Sequence, residues 1–249
     1  MDRQMWLAER QATVVTAYDA EAGTYDQHEY PSDTQREWVT RLLRLVPPGG
    51  TVLDAPCGTG KYFPILAAAG YQVAGVDQSA GMLAQAQARN VALFLEHTTL
   101  QHLPFTGQFD AAMTVDAMEN VPPEDWPAVL ANLHRAVRPG SCIYLTVEEI
   151  SQADIDHAYK NLSARGLPVV RGEIIEGDVA GYHYYPGRQQ TIAWFQRESL
   201  VILDEDYRQE NGWGYRHFLL RTPPLDARWG SRTRPPVLTC ASMRLARTH

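Results

Sequence analysis

The sequence predicts an α/β protein, a mostly parallel sheet with helices packed on both faces. Three features point there. Short apolar segments alternate with helix-like ones through the middle of the chain, as parallel strands and their crossovers require. The stretch "TVLDAPCGTG" runs a buried strand into a glycine-rich turn and then toward a helix. Hydrophobic residues make up 45% of the 249, enough to fill the core of one sizeable domain.

The elements follow in order. "TVLDA" (51–55) is the first strand, and "KYFPILAAAG" (61–70) reads as a helix closed by Gly70. "YQVAGVD" (71–77) is the second strand, followed by a helix with Ser79 as its N-cap. A short third strand lies near 91–97 and a fourth at "FDAAMTVD" (109–116). Residues 123–140 form an amphipathic helix that should end at Pro139-Gly140, and "SCIYLTVEE" (141–149) is the fifth strand.

The flanks have a different pattern. Residues 1–46 read as two or three helices covering the core, among them the amphipathic "SDTQREWVTRLLRLV" (32–46). After the fifth strand comes a helix capped by Ser151, then a hairpin or lid at 167–187 and a helix at 188–200. Residues 201–223 suggest two antiparallel strands turning at Asn211-Gly212. One domain over 1–223 is expected: cover 1–46, core 50–150, and an insertion with a helix at 151–200. Residues 224–249 lose periodicity and are expected to form a flexible tail.

Three ligand classes compete for the glycine turn. A P-loop requires G-x-x-x-x-G-K-[ST]; Lys61 follows Gly60, but position 55 is Ala and position 62 is Tyr. A dinucleotide fingerprint requires G-x-G-x-x-G; Gly58 and Gly60 are present, but Phe63 holds the third place. The third class puts an acid at the strand end, here Asp54, with a second, Asp77, ending the next strand. Asp54 suits a ligand ammonium, Asp77 can take both hydroxyls of a ribose, and the glycines let a ligand approach the backbone. S-adenosylmethionine has an ammonium at one end, a ribose in the middle and no phosphate to neutralise.

"VLDAPCGTG", "VAGVDQSAGMLAQA", "LPFTGQFDAAMTVDAMENV" and "LHRAVRPGSCIYLTVEE" together resemble the class I S-adenosylmethionine-dependent methyltransferases over roughly residues 50–150. The resemblance implies a Rossmann-like, seven-stranded, mostly parallel sheet with a helical N-terminal cover and a small hairpin or lid before the last helix. It implies S-adenosyl-L-methionine as cofactor, held by Asp54, Ala55, Gly58 and Gly60 at the turn and by Asp77, Gln78 and Met82 after the second strand. Thr99 and Leu100 would flank the adenine, and Asp116, Ala117 and Met118 the methionyl end. Tyr18 and Tyr25, in "YDAEAGTYDQHEY", would border the methionyl end from the cover. Two positions depart from the family pattern. Pro56 stands where many members have Gly, stiffening the turn and removing one N–H, and Thr99 stands where an acid is common.

Blander roles stand beside these. Asp54 can cap the next helix, Asp116 and Glu119 can be ordinary carboxylates at a strand end, and Tyr18 and Tyr25 can simply pack. Cys57 reads as a wall residue, since nothing basic precedes it to activate a thiolate.

Methyl transfer is an in-line displacement with a neutral leaving thioether, so positioning and exclusion of water carry it; a base helps only when the acceptor must lose a proton. The acceptor site is expected past the ends of strands four and five, where Glu148, His183 and the tyrosines of "GYHYYPG" converge, with His183 or Glu148 as candidate catalytic groups. No metal-ligand spacing is visible.

A net charge of −7 and the lack of a recognition module disfavour nucleic acid, so a small-molecule acceptor is expected, methylated at N or O. The alternatives are a protein or RNA methyltransferase, or a non-catalytic binding protein on the same fold. Three scattered cysteines, no signal-peptide pattern and no membrane-length apolar run suggest a cytoplasmic protein, and a homo-oligomer is compatible with the sequence.

Overall fold

The computed structural model describes residues 2–27, 31–176, 181–210 and 213–225. The N-terminal flank forms helices α1 (Arg3–Glu21) and α2 (Asp33–Leu43). The core then runs β1 (Thr51–Asp54), α3 (Phe63–Ala68), β2 (Gln72–Asp77), α4 (Ala80–Ala88), β3 (Leu95–His97), β4 (Phe109–Thr114), α5 (Trp126–Ala136) and β5 (Val137–Glu149). There follow α6 (Gln152–Ala164), β6 (Glu173–Glu176), β7 (Gly181–Tyr184), α7 (Gly187–Arg197), β8 (Val201–Glu210) and β9 (Trp213–Arg221).

Seven strands make one sheet in the order β3-β2-β1-β4-β5-β9-β8. The first five run parallel; β9 is antiparallel to both β5 and β8. The strand order reverses between β1 and β4, and in an open α/β sheet that switch point leaves a crevice past the strand ends. β6 and β7 pair antiparallel as a separate hairpin before the last helix.

Alternate side chains of each strand enter two cores. Val52, Val73, Met113 and Tyr144 pack with Trp38 and Leu42 of α2 and with Phe63 and Leu66 of α3. Leu53, Ala74, Ala112 and Leu145 pack on the other face with Trp126 and Leu130 of α5, Phe195 of α7 and Trp6 of α1. Three serine caps fix helix starts. Ser32 forms a reciprocal capping box with Gln35, Ser79 accepts from the Met82 amide at 3.0 Å, and Ser151 accepts from the Asp154 amide at 3.1 Å.

The helix expected to end at Pro139-Gly140 stops at Ala136 instead, and β5 begins at Val137. Val137 pairs with Phe109 while Cys142 pairs with Ala111, so β5 bulges between them. Gly140, at φ +79°, supplies the left-handed residue that lets the strand resume after Pro139. The 201–223 hairpin forms in register, although its turn at 211–212 lies outside the described residues, as does the expected tail from 226 onward. Among the described residues no helix is long and apolar enough to cross a membrane.

Candidate functional site

The site begins where β1 and β2 end. β1 delivers Asp54 to a turn whose Ala55–Pro56 peptide is cis and whose Gly58 (φ +54°) and Gly60 (φ +75°) are left-handed. The two glycines serve different ends. A Cβ on Gly58 would meet nothing within 4 Å, whereas one on Gly60 would stand 2.6 Å from the Phe63 ring. Gly58 therefore keeps a backbone surface open, and Gly60 lets the turn pack on α3.

Asp77, at the end of β2, braces this turn. Its Oδ2 accepts from the Gly58 amide and its Oδ1 from the Ser79 amide, both at 2.8 Å. The Gln78 amide also acts on this carboxylate, whose roughly four acceptor sites are not all taken. Burial raises its pKa, and these backbone donors oppose the rise.

A cleft of about 950 Å³, counted to its open mouth, lies past the ends of β1, β2 and β4. Its walls include Gly58, Asp77, Gln78 and Met82 on one side, Thr99 and Leu100 on a second, and Asp116 and Ala117 on a third. Tyr18 from α1 and Tyr25 beyond it close it from above. Those ten residues are among the positions expected from sequence. Asp54, Ala55, Gly60 and Met118 lie behind the walls, and Glu148 and His183 are also outside the lining.

Sequence reasoning missed Gln11 and Val14, which line the cleft with Tyr18; their i, i+3, i+7 spacing is the signature of one helical face. It also weighed Lys61 only as a P-loop lysine. In the structure Lys61 projects into the cleft wall, its Nζ 3.4 Å from Asp116 Oδ2 and about 6 Å from the Tyr25 and Tyr62 rings.

Charge is concentrated here. Asp54 is 1% exposed, and its Oδ2 has no hydrogen-bond partner among the described residues. Burial holds its pKa well above the usual carboxylate range, with Lys61 opposing and Asp77 adding to the rise. Asp116 adopts φ +51°, unusual for a residue with a Cβ. Its amide donates to Thr146 Oγ1 at 2.8 Å and its Oδ2 accepts from Gln35 Nε2 at 2.7 Å, while Oδ1 has no partner among the described residues. Glu119, on the single turn after β4, is pushed up to about 8 by burial first and then by Glu148 and Asp116. Burial and the charge of Glu119 together keep the Tyr18 phenol protonated, and burial does the same for the Cys57 thiol.

His183 sits on β7 with Nδ1 3.0 Å from the Tyr185 hydroxyl. Glu148 is buried near the end of β5, opposite Tyr215 of β9. Among the described residues no group of His, Cys, Asp and Glu is arranged to hold a metal ion.

The cover is tied down at both ends. Asp19 Oδ1 accepts from Ser79 Oγ at 2.6 Å and from the Gly81 amide at 2.8 Å. Asp26, just beyond α1, takes 2.5 Å contacts from Thr59 and Arg89. At the start of α1, Arg3 donates to both oxygens of the buried Glu173 at 2.8 and 3.1 Å and to Glu124 at 2.5 and 3.0 Å.

Residues 52–140 match the family described as Methyltransferase domain. A malonyl-[acyl-carrier protein] O-methyltransferase of Pectobacterium atrosepticum is 32% identical over 194 residues, 73% of this chain and 72% of that one. Further malonyl-[acyl-carrier protein] O-methyltransferases are spanned over 50–60% of their length. A demethylmenaquinone methyltransferase of Bacillus licheniformis is 35% identical over 184 residues, covering 66% of this chain and 77% of that one. The 1,6-didemethyltoxoflavin-N1-methyltransferase of Burkholderia thailandensis, solved with its substrate and S-adenosylhomocysteine, superposes with a TM-score of 0.66 over 90% of this chain and 91% of its own. At 16% identity that likeness speaks for the fold alone. The Pectobacterium match over more than two thirds of both sequences, together with a family match that begins at the glycine turn, shows that this chain belongs to the class I S-adenosylmethionine-dependent methyltransferases.

Proposed function

We propose that the cleft holds S-adenosylmethionine and that the protein transfers its methyl group to an N or O atom of a small molecule. The observation that carries this is the Asp77 brace: one buried carboxylate at the end of β2 ties Gly58 to Ser79 and faces the cleft with lone pairs to spare. Asp77 grips the ribose hydroxyls, and Leu100 and Thr99 flank the adenine. The amino-acid end lies toward Asp54 and Asp116, each with one oxygen that has no partner among the described residues and so suits an ammonium. Gly58 brings the backbone up to the ligand, while Ala55, Gly60 and Met118 shape the wall from behind.

Bound there, S-adenosylmethionine supplies an electrophilic methyl group on a sulfonium. The chain's own part is to hold the acceptor in line and keep water out, which Tyr18, Tyr25 and the rest of the cover do by closing the cleft. Names of relatives that refer to malonyl-[acyl-carrier protein] and demethylmenaquinone support an acceptor of modest size, free or carrier-linked. His183, tied to Tyr185 outside the lining, is left to shape the acceptor side rather than to take its proton.

The test is direct. Purified protein should bind S-adenosylmethionine and its demethylated product, and should move a labelled methyl group from the donor into a fraction of small metabolites. Protein that binds neither ligand overturns the reading.

A further inference from the structure

Asp125 stands at the start of α5, where a carboxylate ordinarily caps its own helix, yet its side chain makes no cap. Its Oδ2 instead accepts from Gln101 Nε2 at 3.0 Å and from Gln11 Nε2 at 3.4 Å. The two glutamines come from different parts of the chain. Gln101 lies on the short turn Leu100–His102 after β3, and Gln11 lies on α1 in the cover. Both line the cleft, and their shared partner sets them side by side at the wall of Thr99 and Leu100.

That shared oxygen fixes which end of each amide is left for the cleft. A carboxylate only accepts, so each glutamine turns its NH2 toward Asp125 and keeps its carbonyl oxygen for another partner. Neither carbonyl has a hydrogen-bond partner among the described residues.

Neighbouring oxygens of the same wall are already engaged. Thr99 Oγ1 pairs with His102 Nδ1 at 2.9 Å. Asn132 Nδ2 donates to the backbone carbonyls of Leu100 and Gln101 at 2.9 and 2.7 Å. Asn132 belongs to α5, so one helix fixes this turn twice: its backbone through Asn132 and its Gln101 side chain through Asp125. The Gln101 carbonyl is therefore held in place before any ligand arrives.

Resting on the reading that the cleft takes S-adenosylmethionine, we propose that Asp125 is a positioning residue that makes Gln101 and Gln11 the readers of the cofactor's base. It keeps two amide carbonyls turned to the 6-amino group of adenine, which has two N–H bonds to donate. A 6-oxo purine puts an oxygen at that place and would meet two more oxygens there. The cleft thereby selects a 6-amino purine, with one reader on the core wall and the other on the cover.

Calorimetric titration of the full chain with two demethylated ligands tests this. S-adenosylhomocysteine and S-inosylhomocysteine differ only in the purine, the second carrying a 6-oxo group and an N1–H. Wild type should favour the adenine ligand by about 30-fold or more. Gln101→Leu should weaken the adenine ligand about tenfold and leave the 6-oxo ligand no weaker, so that the preference shrinks. Gln11→Leu, which removes the more distant amide, should shrink the preference about two- to threefold. Asp125→Asn tests the positioning role. Its amide donates as well as accepts, which frees the glutamines to turn over, and the preference should shrink about three- to tenfold. A merely structural role would weaken both ligands alike. An unchanged preference in Gln101→Leu or Asp125→Asn, or equal weakening of both ligands, overturns the proposal. So does wild type that binds the two ligands equally, a result that needs no variant to fold. Wild type that binds neither ligand overturns the underlying functional reading instead, and the two failures are thereby distinguishable.

Discussion

The cofactor half and its cover are held by different physics. In the core, the turn at 54–60 and the brace from Asp77 depend on residues close in sequence, at strand ends, joined through backbone amides. The cover depends on charged and polar side chains that cross the chain: Arg3 to Glu173, Asp19 to Ser79, Asp26 to Arg89 and Gln35 to Asp116. Backbone-fixed geometry binds a constant ligand, while side-chain ties leave the wall over it open to change. The difference teaches that the two halves should fail separately when disturbed.

The largest expected effect breaks the core. Asp77→Ala orphans the Gly58 and Ser79 amides and removes the carboxylate proposed to hold the ribose, so affinity for S-adenosylmethionine should fall about 100-fold or more by calorimetry. Arg3→Ala breaks the cover instead. It strands Glu173, which is 0% exposed, and should cost about 3 kcal/mol in denaturant unfolding. Arg3→Met combined with Glu173→Gln removes the stranded charge and should recover most of that loss; no recovery would mean that the ion pair is not what secures α1.

A smaller effect sharpens the comparison through pH. Hydrogen bonds from Ser79 and the Gly81 amide hold Asp19 below its ordinary 3.8. A lowered carboxylate stabilises the fold fully above its unfolded value, and the contribution is lost as pH falls through the lowered one. Asp19→Asn should therefore lower Tm modestly near neutrality, where the contribution is whole, and flatten the further drop on acidification below about pH 4. The smallest effect is a control: Arg171→Ala removes an exposed pair with Asp156 and should leave Tm within error.

The same contrast explains what could be read in advance. The order of strands and helices, the caps at Ser79 and Ser151 and the hairpin at 167–187 follow from periodicity and turn chemistry, which are local. So do Gly58 and Asp77, marked by strand-end spacing. The end of α5 was misjudged because Pro139-Gly140 signals a break of either kind, and only pairing with Phe109 makes it a bulge inside β5. Gln11 and Val14 were hidden because α1 is amphipathic for two reasons at once, core packing and cleft lining. Glu119 and Lys61 gain their meaning from Glu148 and Asp116, which reach them only across the folded sheet.

The most direct measurement of the central claim is a crystal structure of the protein with S-adenosylhomocysteine bound. The ribose hydroxyls should lie within hydrogen-bond distance of Asp77, with the adenine beside Leu100 and the amino-acid end toward Asp54 and Asp116. A ligand seated elsewhere, or one in this cleft whose ribose turns away from Asp77, would contradict the account.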